Sequence, residues 1–335
     1  MQETDQTASG PLRAAIRDLR LPLLQAPMFL VSSATLASAC ARAGVIGAFQ
    51  LANPATLDEL ERWLDELGAA EASSRSKGGR WGPICVNVNA NAIRTDGYRE
   101  RFALCERARV PLILSSIGDP AEVVRRAHDW GGRVIHDVTT LRFAEKAIGA
   151  GVDGLMLTCA GAGGHNGALS PFAFLPQVRR MFNGLVVLAG GIAESDGIRG
   201  ALALGADAVC MGTRFVATRE SAAPDEYKQM LVDAGTPDIM ETEAIAGLTA
   251  NWLKPSMMAV GLDPANLPQP RGRHRPNLPQ GVKAWHNVWS GGHSTGLISD
   301  VPTIVELVDR FAAELEATLA EDWQARLAER LGVLA

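Results

Sequence analysis

The chain has 335 residues, with 32 basic and 37 acidic side chains and a formal net charge of −5 at pH 7. This length permits two domains or one large α/β barrel, and the lack of excess positive charge argues against a nucleic-acid partner. No apolar run approaches the roughly 20 residues that span a bilayer, so no membrane segment is predicted.

The cysteines and histidines favour some locations and site types over others. The five cysteines are odd in number and widely spaced, which predicts reduced thiols and a cytoplasmic protein. They form no Cys-x-x-Cys pair, and the six histidines show no His-Glu-x-x-His spacing, so no metal site is predicted. The first ten residues are polar and acidic, unlike a secretory signal, and are interpreted as a frayed end.

Short aliphatic or β-branched runs recur along the chain, and each is followed by a segment with helical periodicity. Eight strands are predicted, over residues 21–28, 45–49, 84–89, 110–115, 133–138, 154–158, 185–189 and 208–212. Helices are predicted after them, over residues 33–42, 56–67, 98–108, 120–130, 139–148, 171–181 and 194–204. Strands that alternate with helices pair in parallel through right-handed crossovers.

Two of these units resemble each other, because residues 147–154 and 201–208 each end a helix with glycine and enter a strand after aspartate. Eight such units predict an α/β fold of the closed (β/α)₈ TIM-barrel type rather than an open sheet. The strand rhythm stops and prolines accumulate between residues 219 and 300, which predicts a large insertion before the last barrel helix. Residues 71–80 predict a mobile surface loop.

The predicted organisation therefore has four parts. An N-terminal extension covers residues 1–20, and the barrel covers residues 21–218 plus 301–318. The insertion, residues 219–300, is expected to cover or flank the active site, and a C-terminal helix covers residues 319–335.

The most informative motifs are Ala-Gly-Gly-Ile at 189–192 and Met-Gly-Thr at 211–213. Each follows a predicted strand, the seventh and the eighth, where barrels commonly bind phosphate through free backbone N–H groups. The candidates are Gly190, Gly191, Gly212 and Thr213. Tight turns alone are the alternative, but two glycine motifs on adjacent loops favour a phosphate site.

A glycine-rich loop at 159–167 follows the sixth predicted strand and reads Cys-Ala-Gly-Ala-Gly-Gly-His-Asn-Gly. Its glycines, which include Gly163 and Gly164, allow the backbone to approach a flat ligand. His165 is expected to face the mouth of the barrel, where a pKa of about 6.5 suits a base or an acid. The alternative is that His165 only hydrogen-bonds a loop carbonyl.

Two strand ends give weaker signals. The first strand ends in Gln-Ala-Pro-Met, which includes Pro27 and Met28, and Asn87 lies near the end of the third. An asparagine both donates and accepts hydrogen bonds, which suits the edge of a planar heterocycle, although a turn explains it equally well. His136 and Asp137 end the fifth strand, where a helix N-cap by Asp137 is the favoured interpretation.

The end of the insertion carries another glycine motif, Trp-Ser-Gly-Gly at 289–292, and its Ser290 and Gly291 can complete the phosphate end of the site. Arg-Gly-Arg-His-Arg at 271–275 is the basic cluster of note. It can meet an anionic substrate or a second nucleotide, but a solvated loop is the favoured interpretation. Nucleophile signatures such as Gly-x-Ser-x-Gly are absent.

Taken in this order, the motifs resemble those of the nitronate monooxygenase family, formerly called 2-nitropropane dioxygenases. The resemblance runs from about residue 21 to residue 308. It rests on Gln-Ala-Pro-Met at 25–28, Ala-Gly-Gly-His at 162–165, Ala-Gly-Gly-Ile at 189–192, Met-Gly-Thr-Arg-Phe at 211–215 and Trp-Ser-Gly-Gly at 289–292.

The resemblance implies a TIM barrel that binds FMN non-covalently, holds no metal and oxidises alkyl nitronates with O₂ to a carbonyl compound and nitrite. By this resemblance His165 corresponds to the catalytic histidine, which takes the α-proton of a nitroalkane or orients the nitronate. With the motif residues above, the expected FMN-binding set is Pro27, Met28, Asn87, Thr158, Gly163, Gly164, Gly190, Gly191, Cys210, Met211, Gly212, Thr213, Ser290 and Gly291.

The chain departs from the family pattern at three places. Thr158 stands where many members have glutamine, His293 stands where the usual Trp-Ser-Ala-Gly-Gln ends, and Phe29, Leu30 and Val31 replace small residues. These positions are expected to line the flavin or substrate side, so they bear on the substrate more than on the cofactor.

Two other functions fit the same residues. One is an NAD(P)H-dependent FMN reductase acting on quinones or an enoyl thioester, and the other is a phosphate- or nucleotide-binding barrel without redox chemistry. The expected partners are a small-molecule substrate and O₂, and the expected assembly is a homodimer.

Overall fold

The computed structural model of the protein describes residues 10–320. The predicted frayed end, except for Gly10, and most of the predicted C-terminal helix lie outside the described residues, at 1–9 and 321–335.

The described part of the chain contains eleven strands, eight of which form one parallel sheet. The strands are β1 (Leu23–Gln25), β2 (Gly47–Gln50), β3 (Ile84–Asn89), β4 (Leu112–Ser116), β5 (Arg133–Val138), β6 (Gly154–Thr158), β7 (Gly164–His165), β8 (Leu185–Ala189), β9 (Ala208–Met211), β10 (Ile239–Thr242) and β11 (Ala250–Leu253). The parallel sheet has the order β1-β9-β8-β6-β5-β4-β3-β2.

The ends of this sheet meet. Leu24 of β1 and Ile46 form a parallel bridge, and the Gln25 N–H donates to the Ile46 carbonyl at 2.9 Å. The sheet therefore returns on itself, and the predicted (β/α)₈ barrel is confirmed.

Helices surround the strands. They are α1 (Gly10–Arg17), α2 (Ala34–Arg42), α3 (Leu57–Ser76), α4 (Asp96–Arg107), α5 (Ala121–Asp129), α6 (Leu141–Gly149), α7 (Pro171–Arg179), α8 (Ser195–Leu204), α9 (Thr213–Val216), α10 (Asp225–Asp233), α11 (Lys254–Ala259) and α12 (Ile304–Ala320). Side chains of Ser33, Thr56 and Thr140 accept backbone N–H groups in the first turns of α2, α3 and α6, which fixes where these helices begin.

The predicted surface loop at 71–80 is wrong over its first half, because α3 continues to Ser76. The Arg75 side chain contacts Glu71 at 2.8 Å, an i,i+4 pair that supports one more helical turn. A serine-rich composition favoured a loop, but serine costs a helix only a few tenths of a kcal/mol, roughly, relative to better helix formers.

Two hydrophobic layers hold the barrel together. The interior layer includes Leu24, Leu114, Ile135 and Val187, whereas a larger layer lies between the strands and the helices. Leu12 and Ile16 of α1 join the interior layer, and Arg13 contacts Asp207 just before β9. Helix α1 therefore closes the N-terminal end of the barrel and leaves the C-terminal end for a site.

The chain between α9 and α12 builds a second, antiparallel sheet at the C-terminal end. β11 pairs with β10 on one side and with β7 on the other, so that Ala250 lies opposite His165 and Asn251 opposite Gly164. Trp252 and Met257 belong to a separate small core in this segment. The 219–300 segment is thus joined through backbone hydrogen bonds to the loop after β6. In residues 10–320 we find no helix with the length and apolarity needed to cross a bilayer.

Candidate active site

Three glycine-containing segments converge at the C-terminal end of the barrel. Thr213 Oγ1 accepts the Gly292 N–H at 3.0 Å, and the Gly161 carbonyl accepts the His293 N–H at 2.9 Å. A Cβ atom on Gly163 would lie 2.9 Å from Thr213 Oγ1 and 3.0 Å from the Gly292 nitrogen. The three segments, which are the loop after β6, the loop after β9 and residues 289–292, therefore pack closely together. Position 163 has no room for a side chain larger than that of glycine.

The loop after β8 has backbone open to a ligand. Gly190 and Gly191 have φ angles of +118° and +72°, which favour glycine. A Cβ on Gly190 would lie 3.1 Å from the Cys159 carbonyl, whereas a Cβ on Gly191 would meet nothing within 4 Å. Gly190 thus allows the two loops to touch, and Gly191 leaves bare backbone facing open space. This arrangement fits the phosphate of the FMN that the resemblance implies.

The predicted residues of β1 and β3 are linked through β2. The Pro27 carbonyl accepts a hydrogen bond from the Gln50 side chain at 3.3 Å, and Gln50 lies opposite Asn87 in the parallel ladder. The Asn87 amide donates to the Leu114 carbonyl at 2.9 Å. Asn87 is therefore fixed by a neighbouring strand rather than by a turn.

Among the other residues predicted to bind FMN, some can offer a side chain to a ligand and others can offer only backbone atoms. Met28 Sδ lies 3.7 Å from the Cβ position of Gly212, and Cys210 belongs to the interior layer. The Met211 side chain packs in the outer layer, so only its backbone can face a ligand. Ser290 Oγ lies 4.0 Å from the Cβ position of Gly164. Gly291 is buried, 3.0 Å from Thr295 Oγ1 if a Cβ is added.

His165 lies on β7 at the rim of the site. Its Nδ1 atom is 3.3 Å from the Thr249 carbonyl oxygen, so the loop-carbonyl contact considered for this histidine is present. A carbonyl can only accept, so the proton is on Nδ1 and Nε2 carries a free lone pair. The contact therefore leaves His165 able to act as a base.

Aromatic side chains form a cluster beside this histidine, and Phe29, expected from the sequence on the flavin or substrate side, belongs to it. The Trp285 ring meets the His165 ring edge-on at 5.3 Å between centroids, and Phe29 lies 6.4 Å beyond it. Trp252 also packs against Trp285, with 5.0 Å between ring centroids. Trp285 has a φ angle of +61°, which is uncommon for a large side chain, and it lies in a turn closed by the hydrogen bond from its N–H to the Val288 carbonyl at 2.8 Å.

The surroundings of His165 lower its pKa below the ordinary value. Desolvation by the neighbouring groups is the largest cause, the Thr249 carbonyl acts in the opposite direction, and the charge of His274 lowers the pKa further. His165 is therefore neutral over a wider pH range than a free histidine.

Asp137 does not cap the following helix, and that interpretation is wrong. The N-cap of α6 is Thr140, which accepts the Phe143 N–H at 3.2 Å. Asp137 instead accepts a hydrogen bond from the Thr158 hydroxyl at 2.5 Å across β5 and β6. Desolvation raises the pKa of Asp137 to about 6, and the hydrogen bond from Thr158 partly opposes it.

His136 points away from the mouth. Its Nδ1 atom contacts the buried Ser115 hydroxyl at 2.7 Å between β4 and β5. Desolvation lowers the pKa of His136 to about 4, so the ring is neutral and part of the packing between strands and helices.

The basic cluster at 271–275 forms a turn near His165. The His274 N–H donates to the Gly247 carbonyl at 3.0 Å, and a Cβ on Gly247 would lie 2.5 Å from the Arg275 nitrogen. The turn is therefore pinned to the chain that leads into β11. The exposed Arg273 side chain has no hydrogen bond or ion pair within residues 10–320.

Two departures from the family pattern are placed differently. Phe29 faces Trp285 and His286 at the mouth. His293 is exposed and packs on Gly161, whose Cβ position is 3.1 Å from the His293 Nδ1. Within the described ranges, no group of three or more His, Cys, Asp or Glu side chains is arranged to hold a metal ion.

Comparisons with known proteins identify the family of the chain. The sequence model of a family described as nitronate monooxygenase matches residues 11–314. A nitronate monooxygenase of Paraburkholderia phytofirmans is 29% identical over 309 residues, which cover 80% of this chain and 82% of that protein.

A second curated relative has a different name. A protein of Mycobacterium tuberculosis named (3aS,4S,5R,7aS)-5-hydroxy-7a-methyl-1-oxo-octahydro-1H-indene-4-carboxyl-CoA dehydrogenase is 30% identical over 240 residues, or 71% of this chain. The match spans 64% of the length of that relative.

Solved structures with the same fold include nitroalkane oxidase from Streptomyces ansochromogenes, with a TM-score of 0.75, 25% identity and coverage of 92% of this chain and 100% of that one. FabK from Thermotoga maritima has a TM-score of 0.72 and 26% identity, covering 92% of this chain and 97% of that one.

Proposed function

Since the chain belongs to the nitronate monooxygenase family, we propose that this oxidoreductase binds FMN and oxidises alkyl nitronates or nitroalkanes with O₂ to a carbonyl compound and nitrite. The observation that carries the proposal is the position of His165. Its Nε2 lone pair is free, and its loop is packed through Gly163 against Thr213 and Gly292. The proposed base and the proposed glycine-rich phosphate site therefore lie at the same end of the barrel.

The proposed cofactor contacts are those predicted from the sequence, and the packing supports them. The backbone at Gly190, Gly191 and Gly212 would hold the phosphate. Asn87, Thr158 and the mouth-facing end of β1 would meet the planar ring. When bound, FMN accepts electrons from the substrate and passes them to O₂.

The protein would supply the proton transfer and the surroundings. His165 Nε2 would take the α-proton of a neutral nitroalkane, and the Nδ1 contact to Thr249 would keep the ring oriented. Trp285 and Phe29 would exclude water from the reacting carbon.

Two measurements test the proposal. The purified protein, supplied with FMN, should show flavin absorbance, and anaerobic addition of a propyl nitronate should bleach it. A protein that binds no flavin would instead support the phosphate- or nucleotide-binding alternative. In His165→Asn, FMN should stay bound, but turnover of neutral nitroalkanes should fall by about 10²-fold or more, the usual size of a general-base contribution. Full retained activity would remove His165 from the mechanism.

A second function is favoured by the basic turn. An NAD(P)H-dependent flavin reductase acting on a thioester or a quinone could use Arg273 and Arg275 to bind nucleotide phosphates, and the relative from Mycobacterium tuberculosis is named for a CoA substrate. Anaerobic bleaching by NADPH but not by a nitronate would select this function.

The basic turn can be tested separately. The variant with Arg273→Ala and Arg275→Ala should raise the KM for crotonyl-CoA or NADPH by about tenfold, equivalent to ~1.4 kcal/mol, and leave kcat unchanged if the turn binds those phosphates. Crotonyl-N-acetylcysteamine, which has no nucleotide, should be unaffected. Arg125→Ala, an exposed arginine on α5, is the matched control.

We also propose a cellular location and a homodimeric assembly for the protein. All five cysteines are free and buried, which supports a reducing compartment such as the cytoplasm. The expected homodimer is tested by light scattering of the full chain. The proposed role of the 219–300 segment is to flank the site through β11 and Trp285.

A further inference from the structure

A carboxyl group lies inside the barrel at its C-terminal end. Asp137 follows Ile135 by two positions on β5, and Ile135 belongs to the interior layer. Residues two apart on a strand share a face, so Asp137 points into the mouth of the barrel. Thr158 follows the interior Met156 in the same way on β6, and its hydroxyl donates to Asp137 at 2.5 Å. Burial raises the pKa of the interior Cys210, and the charge of the neighbouring Asp137 raises it further.

This carboxyl group lacks a compensating charge. Within residues 10–320 no lysine, arginine or histidine pairs with Asp137, and the Thr158 hydroxyl is its hydrogen-bond donor. A carboxylate held among apolar side chains is unfavourable unless it is paired or protonated. Burial accordingly raises the pKa of Asp137 to about 6, so this carboxyl group can gain or lose a proton near neutral pH.

The other titratable groups around Asp137 stay neutral near pH 7. Burial raises the thiol pKa values of Cys85 on β3 and Cys210 on β9, and it raises that of Cys159 after β6 to about 12. His136, beside Asp137 on β5, faces the outer layer, where burial lowers its pKa to about 4. His165 lies at the rim, outside this interior layer, and its pKa is lowered below the ordinary value. Among the described groups that share the interior face with Asp137, Asp137 is thus the one that can change charge near neutrality.

We propose that Asp137, held by the Thr158 hydroxyl, takes up one proton from solvent when the bound cofactor is reduced and releases it when the cofactor is reoxidised. This inference rests on the proposed function, because it requires FMN at this mouth. Asp137 would compensate the charge of the cofactor, whereas His165 would act on the substrate at the rim.

The charges and protons balance. Reduction would bring two electrons and one proton to bound FMN and so add one negative charge. The Asp137 carboxylate would take a second proton from solvent and lose one negative charge. Reoxidation by O₂ would return both protons with the two electrons as H₂O₂. Two negative charges close together away from water repel, so the added charge would raise the proton affinity of the carboxylate.

Thr158 has a defined part in this cycle. A hydroxyl that donates to the ionised carboxylate stabilises that form and opposes the effect of burial. Without it, Asp137 would hold its proton to higher pH and could no longer exchange it around neutrality. The threonine therefore acts as a positioning residue for the carboxyl group.

The test measures the midpoint potential of FMN bound to the whole protein as a function of pH, using photoreduction with an indicator dye. In the window that begins at about pH 6, the potential of the wild-type protein should fall about twice as steeply with pH as that of Asp137→Asn. A pH-indicator dye in weak buffer should report one fewer proton taken up per FMN in Asp137→Asn.

Three further variants separate a proton-exchange role from a structural one. Thr158→Val should move the start of the steep window to higher pH, and Thr158→Ser should restore it. Cys85→Ala, a neutral change in the interior layer, should keep the wild-type slope and proton count.

Photoreduction needs no substrate, so the outcomes are distinct. Equal slopes and equal proton counts in wild type and Asp137→Asn overturn this inference and leave the proposed oxidation of nitronates standing. A wild-type protein that binds no FMN overturns both. If Asp137→Asn alone loses FMN, Thr158→Val decides, since an unmoved window would contradict the proton exchange.

Discussion

The Nδ1 atom of His165 lies 3.3 Å from the carbonyl oxygen of Thr249, a residue 84 positions later in the chain. Because the carbonyl fixes the proton on Nδ1, the lone pair of the proposed base is on Nε2. The tautomer is thereby set by backbone from the 219–300 segment, and the ring contacts Trp285 from the same segment.

Proton abstraction by His165 should depend on pH. Desolvation lowers the pKa of His165, and the base is active when neutral, so kcat/KM for a neutral nitroalkane should rise with pH to a plateau. The inflection should lie below the ordinary histidine value of 6.5. A nitronate has already lost its proton, so its profile should lack this limb. The same limb in both profiles would contradict the assignment of the base.

Trp285→Leu provides a second variant for the same measurement. With a smaller side chain beside the imidazole, more water reaches His165 and its pKa should move back up. The inflection for a nitroalkane should then shift to higher pH, with FMN still bound. An unshifted inflection would mean that Trp285 does not shield the ring.

The glycine after β8 can be tested with a matched control. Gly191→Ala places a methyl group in the open space where we propose the phosphate, so FMN should bind about tenfold more weakly, equivalent to ~1.4 kcal/mol. Its φ angle of +72° also costs about 1 kcal/mol of stability for any other residue.

Gly151→Ala carries the same backbone strain away from the mouth. Gly151 has a φ angle of +82°, with Val124 at 3.9 Å from its Cβ position. Its destabilisation should match that of Gly191→Ala in urea unfolding, while the FMN dissociation constant stays at the wild-type value. Equal loss of FMN in both variants would show that strain, and not the phosphate site, is responsible.

Asp137→Asn should change the stability of the flavin-free protein in a pH-dependent way. The pKa of Asp137 rises from 3.8 to about 6, so the folded state binds the proton more tightly, and stability is lost as pH rises through this window. The asparagine variant avoids that loss. Its advantage should be near zero at acidic pH and approach about 3 kcal/mol, an upper bound, above pH 7.

Urea unfolding of the flavin-free protein at acidic and alkaline pH measures this difference. Asp225→Asn is the control, because the Asp225 side chain is 99% exposed and its replacement should give no such pH dependence. A constant difference between Asp137→Asn and wild type across this range would mean that the carboxyl group is not shifted.

Arg214 should contribute strongly to stability. Its guanidinium is buried and donates to Asp300 Oδ1 at 3.0 Å, to the Asp300 carbonyl at 2.7 Å and to the Ala217 carbonyl at 2.6 Å. Arg214→Met removes the donor to the Ala217 and Asp300 carbonyls, while the Asp300 carboxylate keeps Arg310, and should lower the free energy of unfolding by about 2–3 kcal/mol. Arg310→Met removes the exposed partner of the same Asp300 and should cost less than about 1 kcal/mol. The two urea midpoints should therefore differ.

Local sequence predicted the barrel because each strand is marked at both ends. β3, β5, β6 and β8 match the predicted bounds, since an aliphatic or β-branched run begins within two residues of Pro83, Gly132, Asp153 and Gly184. Steric rules of backbone and side chain act over a few residues, so the sequence alone reveals them.

Other features depend on contacts between distant residues. β7 has two residues, too few for any periodicity, and it exists because β11 pairs with it. Asp137 precedes a helix as a capping residue would, but Thr140 is the side chain that reaches the first-turn N–H. The hydrogen-bond partner of Asp137 is Thr158, which lies on the neighbouring strand β6. The sequence pattern contained the residues of the site without their partners.

The pairing of β7 with β11 has a mechanical consequence. His165 and the 219–300 segment share a backbone ladder, so the segment cannot swing away from the mouth without carrying the histidine along or breaking that ladder. Passage of a ligand would then depend on rotation of single side chains, and Phe29 and Trp285 are the side chains at the entrance. For protein engineering, residues 219–300 are a natural segment to exchange between relatives, since one graft transfers Trp285 and the Thr249 carbonyl that orients the histidine, whereas Phe29 stays with the barrel.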